Sequence, residues 1–151
     1  MSSPAIDAFV GLLRSHAATT RELSAQLQAE HGLTISDYEA LLHLSHADGN
    51  RLKRVELAER LILTPSGVTR LLEGLERAGY VEKGSCSTDA RVTYAVLTEA
   101  GRRKLEEAAP SHVASVRALF EDRLDENELA TLAELLGRLP LAGSDAADCS
   151  P

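Results

Sequence analysis

The chain has 151 residues, a formal charge of −7, no Trp, three Tyr and two Phe. That length suits one ordinary domain with a real core, and the lack of aromatic stacking platforms argues against a single-strand nucleic-acid binder. The net charge taken alone argues against a polyanion partner, but residues 51–104 carry 11 Lys/Arg against 7 Asp/Glu. Only that local sign bears on phosphate contact; the acidic remainder keeps the chain soluble.

In chain order, a first helix is expected over 5–30. Ile6, Phe9, Val10, Leu13, Ala17, Leu23 and Leu27 recur there at helical spacing, and His31-Gly32 ends it. It is long and apolar, and is expected to pack against something distant in sequence or against another chain. A second helix is expected to start at Ser36, which has capping-box spacing to Glu39. Tyr38, Leu41, Leu42 and Ala47 face inward, and Asp48-Gly49-Asn50 is a turn. Arg51–Val55 then leads into a short helix, Glu56–Leu61.

Thr64 is an N-cap and Pro65 takes the first helical position, where a missing N–H costs nothing. The resulting helix, 65–78, buries Val68, Leu71, Leu72 and Leu75 and stops at Gly79. Tyr80–Lys83 and Val92–Leu97 read as short strands around the polar loop Gly84–Ala90. Thr98 caps the next helix, which Pro110 is expected to kink or break. Asp125 and Glu128 start a last helix with Leu129, Leu132, Leu136 and Leu139 on one side. Residues 142–151 are rich in Ala, Gly, Ser and Asp and are expected to be a flexible tail.

The order of helix, strand, loop and strand fits a winged helix-turn-helix bound to double-stranded DNA. The fold class expected is mainly α with a small β-wing. The outer face of the 65–78 helix carries Ser66, Thr69, Arg70, Glu73 and Arg77, with Gly67 in the first turn. Ser66 and Thr69 can hydrogen-bond phosphates or bases, and Arg70 has the fork that pairs with guanine in the major groove. The same face would also serve as solvated surface, so the wing carries the weight. Arg91 is placed to enter a flanking minor groove, and Asp89, two residues away, orients an arginine. Lys83, Arg51, Lys53 and Arg54 offer phosphate contacts.

Here the chain resembles the multiple-antibiotic-resistance regulator (MarR) family, from the first helix to the last. The resemblance rests on Val55–Leu61, Val68-Thr69-Arg70-Leu71-Leu72 with Leu75-Glu76, and Ala78–Glu82. The wing Asp89-Ala90-Arg91 and the segment Leu97–Gly101 complete it. Val92 stands where the family often has a second basic residue. The resemblance implies a homodimer in which residues 1–34 and 98–141 are dimerisation helices and 35–97 a DNA-binding module, reading a pseudo-palindromic operator. It implies a small, often aromatic and anionic effector in the crevice between them. Arg14, His16, Tyr38 and His43 are the candidate pocket residues.

His43 and His46 share a helical face at i, i+3, but no diagnostic zinc spacing surrounds them, and no metal or cofactor site is assigned. Cys86, in the presumed wing, offers a redox alternative because Lys83 and Arg91 would favour its thiolate; Cys149 lies in the tail. The two cysteines imply no disulfide framework. A winged protein-interaction module without DNA contact is a further alternative. No Gly-rich phosphate loop, nucleophile elbow or metal-hydrolase motif points to an enzyme. No basic leader or membrane-length apolar run is present, so a cytoplasmic protein is expected.

Overall fold

The computed structural model describes residues 2–61 and 63–141. Helix α1 spans Pro4–His31, α2 Ile35–His46, α3 Arg54–Leu61, α4 Pro65–Arg77, α5 Glu99–Glu121 and α6 Glu126–Gly137. Strands β1 (Arg51–Lys53), β2 (Val81–Ser85) and β3 (Thr93–Leu97) form an antiparallel sheet in the order β1-β3-β2. The expected mainly helical architecture with a small β-wing is what the chain adopts. The proposed tail, 142–151, lies outside the described residues. No described helix is long and apolar enough to cross a membrane.

Local chemistry explains most of the boundaries. Ser3 caps α1, its hydroxyl accepting the Ile6 N–H. Helix α2 starts one residue earlier than expected, because Thr34 rather than Ser36 is its cap. The Thr34 hydroxyl accepts from the Asp37 N–H at 3.1 Å, while the Asp37 carboxylate accepts from the Thr34 N–H at 2.9 Å. That reciprocal pair satisfies two donors the helix start would otherwise leave unpaired. The box at Asp125 and Glu128 forms as expected at the start of α6.

Two expectations are corrected. Arg51–Lys53 is a strand, paired Arg51 to Val96, Leu52 to Ala95 and Lys53 to Tyr94. Pro110 does not break α5, which runs unbroken from Glu99 to Glu121. Proline removes the hydrogen bond to the Glu106 carbonyl, but Pro110 and Glu106 are both exposed, so water can take that bond's place.

The core sits where α2, α3 and α4 meet the sheet and the first half of α5. Leu41, Leu44, Leu57, Leu72, Ala95 and Leu105 are buried together there. Along α1 only Leu23 and Leu27 are buried, and every residue from 4 to 18 is exposed. The N-terminal half of α1 therefore projects without cover, bearing Ile6, Phe9, Val10, Leu12 and Leu13.

Candidate nucleic-acid interface

Helix α4 is held by its inward face and its cap. Val68, Leu72 and Leu75 are buried and Leu71 is partly so. The Thr64 hydroxyl accepts from the Gly67 N–H at 3.1 Å and lies 3.2 Å from the Ser66 hydroxyl. Gly67 is tight against this cap: a Cβ there would sit 3.2 Å from the Thr64 hydroxyl oxygen and 3.6 Å from Leu63 Cβ. Its small size thus serves the cap as well as any approach from outside.

Burial on one side leaves Ser66, Thr69, Arg70, Glu73 and Arg77 exposed on the other. The Arg70 and Arg77 guanidiniums have no hydrogen-bond or ion-pair partner among the described residues, so their donors point at solvent. Thr69 is differently placed. Its hydroxyl donates to the Pro65 carbonyl at 3.0 Å and accepts from the Arg54 Nη2 at 3.2 Å.

The wing follows from β2 and β3, which pair Val81 to Leu97 through Ser85 to Thr93. Lys83 is exposed on β2. The connecting loop turns through a Val92 N–H donating to the Asp89 carbonyl at 3.1 Å. The Asp89 carboxylate then accepts three bonds from Arg91: from its backbone N–H at 3.0 Å, its Nε at 3.1 Å and its Nη2 at 3.2 Å. Those bonds hold the Asp89 carboxyl below the usual carboxylate range. The Arg91 side chain is 90% exposed. A guanidinium has five N–H donors, and two are spent on Asp89, so three project outward from a fixed fork.

Basic side chains also brace the module. The Arg51 guanidinium lies 4.4 Å from the centroid of the Tyr94 ring, and Arg102 donates to the Asn50 side-chain carbonyl at 2.8 Å. Sequence reasoning missed both, because each joins residues that lie far apart in the chain. Cys86, expected as a thiol in a polar loop, is instead buried and disulfide-bonded, with its sulfur 3.1 Å from the Thr88 hydroxyl.

The four candidate effector residues are divided between α1 and α2. Arg14 and His16 lie on the exposed half of α1. Tyr38 is buried, its ring centroid 4.3 Å from that of His112. His31 Nε2 is 2.7 Å from the Ser111 hydroxyl, while its Nδ1 is buried without a hydrogen-bond partner among the described residues. Burial, then the charges of Arg60 and His46, hold the His43 imidazole below its ordinary value. Burial does the same for His112. Glu39 is pushed up by burial, partly offset by His16. A surface groove of about 380 Å³ lies between α1 and α5, lined by Glu22, Gln26, Ser115, Leu119, Asp122 and Arg123 among others. None of the four candidate residues lines it. No group of three or more His, Cys, Asp or Glu side chains is placed to hold a metal among the described residues.

Comparison with known proteins gives a consistent result. The MarR family model matches residues 31–92. The transcriptional repressor YetL of Bacillus subtilis is 34% identical over 111 residues, which is 74% of this chain and 66% of YetL. The structure of AbsC, a MarR family transcriptional regulator from Streptomyces coelicolor, superposes with a TM-score of 0.79 at 33% identity, covering 91% of this chain and 93% of AbsC. Sco3205, a MarR family transcriptional regulator from the same organism solved in complex with DNA, gives 0.79 at 31% identity, covering 91% and 88%.

Proposed function

This chain belongs to the MarR family of DNA-binding transcriptional regulators, and from that premise we propose that it is a cytoplasmic, dimeric repressor released from its operator by a small aromatic or anionic effector. The observation that carries the DNA reading is the pairing of two exposed arginines on fixed mounts. Arg70 stands on the outer face of a capped helix, and Arg91 stands on a wing where Asp89 holds it. A helix of this kind enters the major groove, with Ser66, Thr69 and Arg70 toward base edges and Arg77 and Lys83 toward phosphates. The wing arginine reaches the flanking minor groove.

The dimer reading is supported by apolar surface that one chain leaves uncovered. Phe9 is 57% exposed and Leu13 53%, and Val113, Leu135 and Leu139 are exposed as well. Two copies packing 1–34 and 98–141 would cover these and set two modules, each 35–97, on one face. The repressor reading is supported by the name of the relative YetL. The effector reading is supported by the buried Tyr38 ring packed near the part-buried His112 imidazole, where the module meets α5, and by the part-buried His43 on the same helix as Tyr38. Arg14 and His16 are offered to an anionic effector.

The test is a gel shift on duplexes selected by the protein from a randomised pool, run over a salt series and repeated with a panel of aromatic carboxylic acids. A pseudo-palindromic consensus with steep salt dependence, and release by an acid, is the expected result. Enrichment of no duplex sinks the DNA reading. A shift that no acid reverses sinks the effector reading alone.

A further inference from the structure

We infer that Arg54 is a positioning residue that sets which bases Thr69 can read, an inference that rests on α4 entering the major groove. A threonine hydroxyl has one proton and two acceptor lone pairs. Thr69 gives its proton to the Pro65 carbonyl one turn back, at 3.0 Å. One of its lone pairs is taken by the Arg54 Nη2, at 3.2 Å. What remains for a ligand is one lone pair and the γ-methyl, on a side chain that is exposed at the outer face of α4.

That remainder is selective. It can accept from the exocyclic amino group of adenine or cytosine, or pack its methyl on the thymine methyl. It cannot donate to the O6 or N7 of guanine, to thymine O4 or to a phosphate oxygen. An unrestrained threonine can rotate its hydroxyl to suit either a donor or an acceptor and would discriminate less. The restraint comes from the first residue of the preceding helix, so α3 tunes readout by α4 without itself touching a base. Arg54 is suited to this because its planar fork loses little freedom for each hydrogen bond it forms.

The experiment uses the full chain and the duplex it selects from a randomised pool. Thr69→Ala first locates the base pair whose identity Thr69 senses. Arg54→Met is then measured on the selected duplex and on its single-pair variants. The expected result is a loss of about tenfold in preference at the pair located by Thr69→Ala, within the range of one base contact. Preference at the pair located by Arg70→Ala stays unchanged. Arg54→Met adds nothing at the Thr69 pair when Thr69 is already alanine. Arg54→Gln, too short to reach Thr69, repeats the measurement if the methionine variant does not fold. The inference is overturned if Arg54→Met weakens all duplexes equally and lowers the salt slope by about one, which marks a backbone contact. It is also overturned if Thr69→Ala locates no pair, or if Arg54→Met changes nothing. A wild-type protein that selects no duplex fails earlier, at the DNA reading itself.

Discussion

The Thr98 hydroxyl donates to the Gly79 carbonyl at 2.6 Å and pins the start of α5 to the turn between α4 and β2. The Thr98 N–H adds a bond to the Tyr80 carbonyl at 3.1 Å, and the Thr98 hydroxyl also accepts from the Gly101 N–H. One short segment therefore joins the helix that bears Arg70, the wing that bears Arg91 and the long helix α5. Gly79 makes the turn with φ +80°, where a side chain would be strained. A Cβ at Gly101 would run into the Tyr80 carbonyl and would sit 2.8 Å from Leu97 Cδ1.

Gly101→Ala should therefore cost about 1–3 kcal/mol through overpacking, read as a lower urea midpoint with an unchanged slope. Gly74→Ala, inside α4, where a Cβ would come no nearer than 3.9 Å to the Arg77 Nη2, is the control and should be neutral or slightly stabilising. Equal midpoints for the two variants would show that the junction is not tight.

Arg70→Ala should cost about 1–3 kcal/mol on the selected duplex and relax preference at one base pair. Arg77→Ala and Lys83→Ala should instead weaken all duplexes about equally and lower the salt slope. Titrations on matched and mismatched duplexes separate the two patterns. If Arg70→Ala weakens every duplex alike, Arg70 is a backbone contact.

The wing makes a prediction about coupling. Asp89 is worth something to DNA binding only through Arg91, because a carboxylate beside a phosphate is otherwise repulsive. Asp89→Ala should weaken binding several-fold despite removing a negative charge. It should have no further effect once Arg91 is alanine. Tighter binding by Asp89→Ala would mean that repulsion outweighs orientation.

Acid should destabilise the fold through its part-buried imidazoles. Burial holds His43 and His112 below the ordinary imidazole value. Both groups are neutral in both states at high pH, so their contribution is constant there. As pH falls below about 6.5 the unfolded chain takes up protons first, and stability drops until the folded values are passed. His112→Gln should lose less stability than wild type between pH 7.5 and 5, measured by urea unfolding. Parallel losses would mean that His112 does not carry the effect. Glu39, raised by burial, acts in the opposite sense and in the carboxylate range, so comparing variants isolates the histidine.

Elements governed by local chemistry were legible in the sequence. Thr64-Pro65, Thr98 and Asp125 with Glu128 mark helix starts through side chains that reach backbone N–H groups within three residues. The outer face of α4 followed from the spacing of Val68, Leu71, Leu72 and Leu75. Competition and context were not legible. Two adjacent pairs, Thr34 with Asp37 and Ser36 with Glu39, both have capping spacing, and geometry decides for the first. Strand β1 has one apolar residue in three, too little alternation to read, and exists because β3 offers it an edge. Pro110 is tolerated because it faces solvent, which no local pattern announces.

The candidate site divides in the same way. Ser66, Thr69, Arg70 and Arg91 were identifiable because the helix and the wing are contiguous stretches of chain. The bond from Arg54 to Thr69 spans 15 residues, and the contact of Tyr38 with His112 joins α2 to α5. Such pairs are set by packing, and a single sequence does not display them.

The most direct test is the stoichiometry and footprint of the protein on its selected duplex, by sedimentation and hydroxyl-radical cleavage. Two protomers per duplex, protecting two half-sites centred about one helical turn apart, is the predicted result. A single protomer on the duplex, or one unpaired protected half-site, would contradict the reading.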